Sequence, residues 1–163
     1  MTKSTLIDIS RIYQFGAALC AALIIAGCAS GPAYRAETAP AADRALVYIY
    51  TSQAMPLWMR TAAIAINGKS IGNLPNGSYL SVELPVGEYE IVQSWSNWLG
   101  DYSAMTRPRT MKLVAKPGGV HFVEFALLQR SQYPYIITNW NISEVPSTQG
   151  AEAIQQCKRQ SAQ

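Results

Sequence analysis

Histidine and cysteine are scarce in this 163-residue chain: one His, at position 121, and three Cys, at 20, 28 and 157. A zinc site needs about three or four N, S or O ligands, and no cluster of such residues surrounds His121. The nucleophile elbow G-x-S-x-G, the Gly-rich phosphate loop and C-x-x-C are all missing. Glu83, Glu88, Glu90 and Glu124 alternate with apolar neighbours, as solvated positions on a sheet do, rather than forming the facing pair that a carboxylate hydrolase requires. His121 with a nearby carboxylate is the one hydrolytic pairing to consider, and its place in a strand just after a turn reads as structural. No catalytic residue, metal or cofactor is expected. Charge is sparse as well, at 14% of residues, and its near-balance contains no basic run. Nucleic acid is therefore not an expected partner. Long apolar runs are also lacking: Phe15–Ile25 falls short of the roughly 20 residues that span a bilayer.

That short run has a specific setting. It follows a segment carrying Lys3 and Arg11, contains Gly16, Ala17, Ala18, Ala21 and Ala22, and ends in Ile25-Ala26-Gly27-Cys28. A charged start, a short apolar core and small residues before a cut make a secretory signal. The cysteine after the small pair resembles the bacterial lipobox, in which the thiol is acylated and the preceding bond is cleaved. The resemblance implies a signal peptide over 1–27 and acylation of Cys28. The protein is then held to a membrane by acyl chains rather than by a spanning helix. In enteric lipoproteins an Asp after the lipidated Cys favours the inner membrane. Ala29 stands there, which points to the outer membrane and a periplasm-facing domain. Removing residues 1–27 takes out Lys3, Asp8 and Arg11 and leaves 11 basic and nine acidic side chains. With Cys20 cut away and Cys28 acylated, Cys157 is the only thiol remaining, so no intrachain disulfide forms. It reads as a partly buried, inert thiol, with an intermolecular bridge as the other possibility.

Residues 28–44, rich in Ala, Pro and small polar side chains, read as a flexible tether. The 16 residues after Cys28 have an r.m.s. reach of about 20–24 Å. From Ala45 to Pro146 the pattern becomes short β-type runs separated by turn signals. ALVYIY at 45–50 is apolar throughout, as a strand covered on both faces would be. Thr61–Ile66 and Lys69–Leu74 flank Asn67-Gly68, a strong hairpin signal because both residues accept positive φ. Pro75-Asn76-Gly77 marks the next turn. In Ser78–Leu84, Leu80, Val82 and Leu84 share one face, and Tyr79, Ser81 and Glu83 share the other. Glu88–Ser94, Thr110–Lys116, Val120–Gln129 and Ile136–Val145 complete about eight strands. Residues 147–163 hold one short helix, with Ser147 as its N-cap and Lys158 and Arg159 in its last turn.

Three stretches together resemble a known family: ALVYIY at 45–50, INGKSIGNLPNGSYLSVELPVGEYEI at 66–91 and MKLVAKPGGVHFVEF at 111–125. They are similar to the bacterial lipoprotein domain of unknown function 2846, itself similar to PEGA-type surface domains. The shared marks are Asn67-Gly68-Lys69, Gly72-Asn73-Leu74-Pro75 and Leu84-Pro85-Val86-Gly87-Glu88-Tyr89. The resemblance implies an all-β fold, a prealbumin-like sandwich of mostly antiparallel strands. These glycines and prolines are turn chemistry and say nothing of activity.

The remaining lead is aromatic. Trp58 lies between the first two strands. Trp95, Trp98 and Tyr102 lie in WSNWLGDYSAMTRPR at 95–109 beside Arg107 and Arg109, and Tyr133 and Tyr135 flank Pro134. Trp, Tyr and Arg are the anchors of protein interfaces, and a long connection without a period is often functional. Either these rings meet a partner or they fold back to cap an open end of the sandwich. The first alternative describes a non-catalytic module that binds another envelope protein. A second use of the same residues is binding peptidoglycan or another envelope glycan, with Trp95, Trp98 and Tyr102 stacking on sugars and Arg107 or Arg109 as polar handles.

Overall fold

The computed structural model of the chain describes residues 31–53, 61–96, 107–132 and 135–162. They form an all-β sandwich with one short C-terminal helix. Nine strands build two sheets: β1 Arg44–Thr51, β2 Thr61–Ile66, β3 Lys69–Pro75, β4 Ser78–Pro85, β5 Gly87–Ser96, β6 Arg109–Ala115, β7 Val120–Gln132, β8 Tyr135–Val145 and β9 Lys158–Arg159. The five-stranded sheet has the order β8-β7-β1-β4-β9 and the four-stranded sheet β3-β2-β5-β6. Pairing is antiparallel except for β1 with β7 and β4 with β9. Eight strands stand where the alternation and turn signals put them, with β5 and β7 running two and three residues further than expected.

Turn chemistry does what the sequence demands. Asn67 (φ 47°) and Gly68 (φ 76°) both take positive φ in the β2–β3 hairpin, the geometry that suits the right-handed twist of the flanking strands. The Asn67 side chain also accepts a bond from the Glu90 amide at 2.8 Å, tying the tip to β5. Gly77 (φ 69°) sits between β3 and β4, which belong to different sheets, so this turn carries the chain across the sandwich.

Strand β1 is buried at every position after Arg44. Val47 and Ile49 face the core between the sheets, with Ile64, Leu80, Ile91, Leu113, Val123 and Phe125. Leu46, Tyr48 and Tyr50 face the other way into a second cluster with Tyr79, Phe122, Ile154 and Cys157. Gln93 is also fully buried, and its amide has no hydrogen-bond partner among the described residues. Such a group costs about 1–3 kcal/mol, which the surrounding apolar burial offsets.

The second cluster overturns three sequence expectations. Tyr79, expected on the same strand face as the solvated Glu83, is 1% exposed because the outer face of the five-stranded sheet carries a third layer. Helix α1 covers only Ser147–Ala153, a single 3-10 turn follows at Ile154–Gln156, and Lys158–Arg159 are strand rather than last helical turn. Pro146, not Ser147, occupies the N-cap, and no side chain caps the helix. Residues 31–37, expected as part of a free tether, lie on this same face: Tyr34 packs edge-on against Tyr48 and Tyr79, with ring centroids 5.6 and 5.5 Å away.

Helix α1 rests on β7 through Gly150, whose hydrogens stand where any Cβ would overlap Cβ and Cγ of Phe122. Gly150→Ala is expected to destabilise the domain by about 1–2 kcal/mol in urea unfolding. The overlap is severe, so overpacking of about 2–3 kcal/mol, the upper part of the usual range, outweighs the roughly 1 kcal/mol that alanine gains over glycine in a helix. An increase in stability would show that the helix is not seated against Phe122.

Candidate functional site

Strand register brings three connections to one end of the sandwich. Thr61 pairs with Ser96, and Gln93 with Arg109, so β2, β5 and β6 begin or end together. Thr51 pairs with Ser78, joined to Pro75 by the tight turn, and Pro75 pairs with Thr61, which puts the end of β1 at the same place. Strand β7 runs parallel to β1 and continues past it, so its turn into β8 lies on that side too. The connections 54–60, 97–106 and 133–134 therefore all spring from one end.

The sequence-predicted residues separate at this end. Trp58, Trp98, Tyr102 and Tyr133 lie outside the described residues, as do Ile25, Ala26, Gly27 and Cys28. Trp95, expected as a stacking platform, is a core residue, 8% exposed. Strand β5 runs to Ser96, two residues further than expected, and its alternation turns Ile91, Gln93 and Trp95 inward. Trp95 meets Trp140 at 5.0 Å and Phe125 at 5.4 Å, both edge-to-face, while Phe125 and Trp140 stack at 5.5 Å. The two arginines also divide. Arg109 is partly buried and donates from Nε to the Trp140 carbonyl at 3.0 Å, whereas Arg107 is exposed. Of the described candidates, Arg107 alone is free to meet a ligand.

His121 is 6% exposed, and both ring nitrogens are occupied. Nε2 accepts from the Lys116 amide at 3.1 Å, which leaves the proton on Nδ1 to donate to Glu144 Oε1 at 2.7 Å. The ring holds the 116–121 turn to β8. Among the described residues no group of three or more His, Cys, Asp and Glu side chains is placed to hold a metal. Cys157 is free and 1% exposed, its Sγ 3.6 Å from the Thr51 carbonyl. Burial pushes its thiol up to about 11, with the Glu124 charge adding to the effect.

Neither a protein-family model nor a curated protein matches this chain. The likeness to the lipoprotein domain family rests on the stretches at 45–50, 66–91 and 111–125 alone.

What sequence reasoning missed is the polar clasp over the outer layer. The Glu37 carboxylate meets Arg159 Nη2 at 2.7 Å and accepts from Ser81 Oγ at 2.6 Å. Arg159 Nη2 also donates to Ser81 Oγ at 3.1 Å, and the Glu37 amide donates to the Tyr48 hydroxyl at 2.9 Å. Four residues from four chain segments thus close one network. Its sequence signal is faint: Tyr34 and Glu37, three apart in a stretch of small residues, and the basic pair Lys158-Arg159 after the helix.

Proposed function

We propose that this chain is a bacterial envelope lipoprotein, anchored through Cys28 at the outer membrane, whose sandwich is a non-catalytic protein-interaction module. The observation that carries the reading is that the strand ends flanking three aromatic-bearing connections gather at one end of a two-sheet scaffold. Binding residues concentrate on loops positioned in this way. The described side chains with chemical potential are already engaged in the fold: His121 in its turn, Cys157 in the outer layer, Trp95 in the core. That leaves recognition to Trp58, Trp98, Tyr102 and Arg107.

In-cell crosslinking of the tagged protein, run beside Trp98→Ala and Trp58→Ala, tests the reading. The expected result is one discrete envelope protein captured by the parent and lost in a variant that still folds. Retention of every captured partner in both variants would sink it. If the same variants instead abolish a tryptophan fluorescence change on titration with muropeptides, the end binds glycan and the protein-partner reading fails.

A further inference from the structure

The clasp has a consequence for how the domain meets its membrane. Arg44 opens β1 beside the 117–119 turn, where its carbonyl accepts from the Gly118 amide at 2.8 Å. A free tether leaving there would let Cys28 wander by an r.m.s. 20–24 Å or so in no fixed direction. The chain instead doubles back. The Arg44 amide closes a turn onto the Ala41 carbonyl at 3.0 Å, and Glu37 and Tyr34 then cross the outer face of the five-stranded sheet. Ala33 bridges Lys158, and the Arg159 amide donates to the Pro32 carbonyl at 2.8 Å. Gly31 lies so close to the Arg159 carbonyl oxygen that any Cβ would collide with it. From Gly31 to Cys28 is three residue steps, at most roughly 10 Å of extended chain.

We propose that residues 31–37 are a strap that sets the orientation of the domain, holding the β9 edge of the sandwich, with the exposed Lys158, against the lipid headgroups of the membrane that carries the anchor. The inference rests on the lipid-anchor reading of Cys28. The surface opposite is well separated: β6, with exposed Lys112 and Lys116, is the far edge of the other sheet and packs on the β8 side. Five strands at about 4.8 Å spacing put it some 20 Å away. An ammonium at Lys158 complements the phosphates of headgroups held this near. The same end of the sandwich carries the aromatic connections, so a partner of that end is met at the bilayer surface rather than across the periplasm.

The lysines supply the test. The full lipidated protein is reconstituted into vesicles of phosphatidylethanolamine and phosphatidylglycerol. A short amine-to-amine crosslinker is added, and peptide mass spectrometry counts lysine–phosphatidylethanolamine adducts. The mass of the Cys28 peptide is read in the same run. The short link fixes a high local concentration of headgroups, so Lys158 adducts are expected to exceed those at Lys112 and Lys116 by about tenfold. The preference should fall towards unity in Glu37→Ala/Tyr34→Ala, which unfastens the strap, and in Gly31→Val, which pushes it off Arg159 while leaving the Tyr34 cluster in place. An acylated Cys28 with equal labelling of the three lysines, or a preference unchanged in both variants, overturns the inference and leaves the anchor standing. An unacylated Cys28 removes the anchor reading and the inference with it.

Discussion

Cys28→Ala is expected to abolish acylation and leave the precursor uncut or mis-sorted, with no change in the folded domain. The size of the effect follows from what one residue carries. Each buried methylene contributes roughly 0.8 kcal/mol, yet a single chain binds only reversibly, with a constant of about 10⁴ M⁻¹, so durable anchoring needs more than one chain. On the lipoprotein reading proposed above, all of those chains hang on Cys28 and on the terminus that its processing would create. No helix among the described residues is long and apolar enough to cross a membrane in their place. Intact mass and membrane fractionation are the measurements. Mature protein of unchanged mass and membrane fraction in the variant would overturn the lipid anchor. The urea midpoint of the domain serves as control, since the packing described above begins at Gly31.

The sandwich was legible where its determinants are local. Alternation of the kind in Lys112, Leu113 and Val114 needs only one buried face to be read, and Asn67-Gly68 announces its own backbone. ALVYIY at 45–50 even told of cover on both faces. What it could not tell is the source of the second cover. Tyr34 and Ile154 reach Tyr48 and Tyr79 from opposite ends of the chain, and neither segment carries an apolar period that would mark it as a layer. For that reason the sequence alone groups Tyr79 with the solvated Glu83 and reads residues 31–37 as tether. Trp95 departs from its expectation for another reason. Two extra residues of β5 pairing decide whether its ring faces a partner or the core, and strand ends are the least certain thing that a sequence yields. Of the candidate site, the convergence of the connections comes from β1–β7 parallel pairing and from β3 and β4 lying in different sheets, neither of which is written in any one segment.

The outer layer should be the part of the fold most sensitive to alkali. Burial raises the Tyr34 hydroxyl to about 12 and pushes the Tyr50 and Tyr79 hydroxyls above the usual tyrosine value of 10.0, while the Cys157 thiol rises from 9.0 to about 11. In each case the leading cause is the loss of hydration that the anion would suffer, and for Tyr34 the neighbouring Tyr48 adds to it. The unfolded chain loses these protons near the ordinary values, whereas the folded chain keeps them to higher pH. Between the two values the unfolded state binds fewer protons, so stability declines as pH rises. The contribution of these groups is present in full below about pH 9 and is lost progressively towards pH 12, the window that the raised values define. The urea midpoint should therefore hold steady from neutrality to about pH 9 and then fall steeply. Cys157 should resist alkylation until that fall begins, as read by mass spectrometry of its own peptide. Tyr34→Phe keeps the edge-on ring against Tyr48 and Tyr79 but removes one titrating hydroxyl, so its midpoint should fall less steeply over the same range. A midpoint flat to pH 12, or a Cys157 that alkylates readily at neutral pH in the folded protein, would mean that the third layer does not exclude water. The strap would then have no cluster to hold.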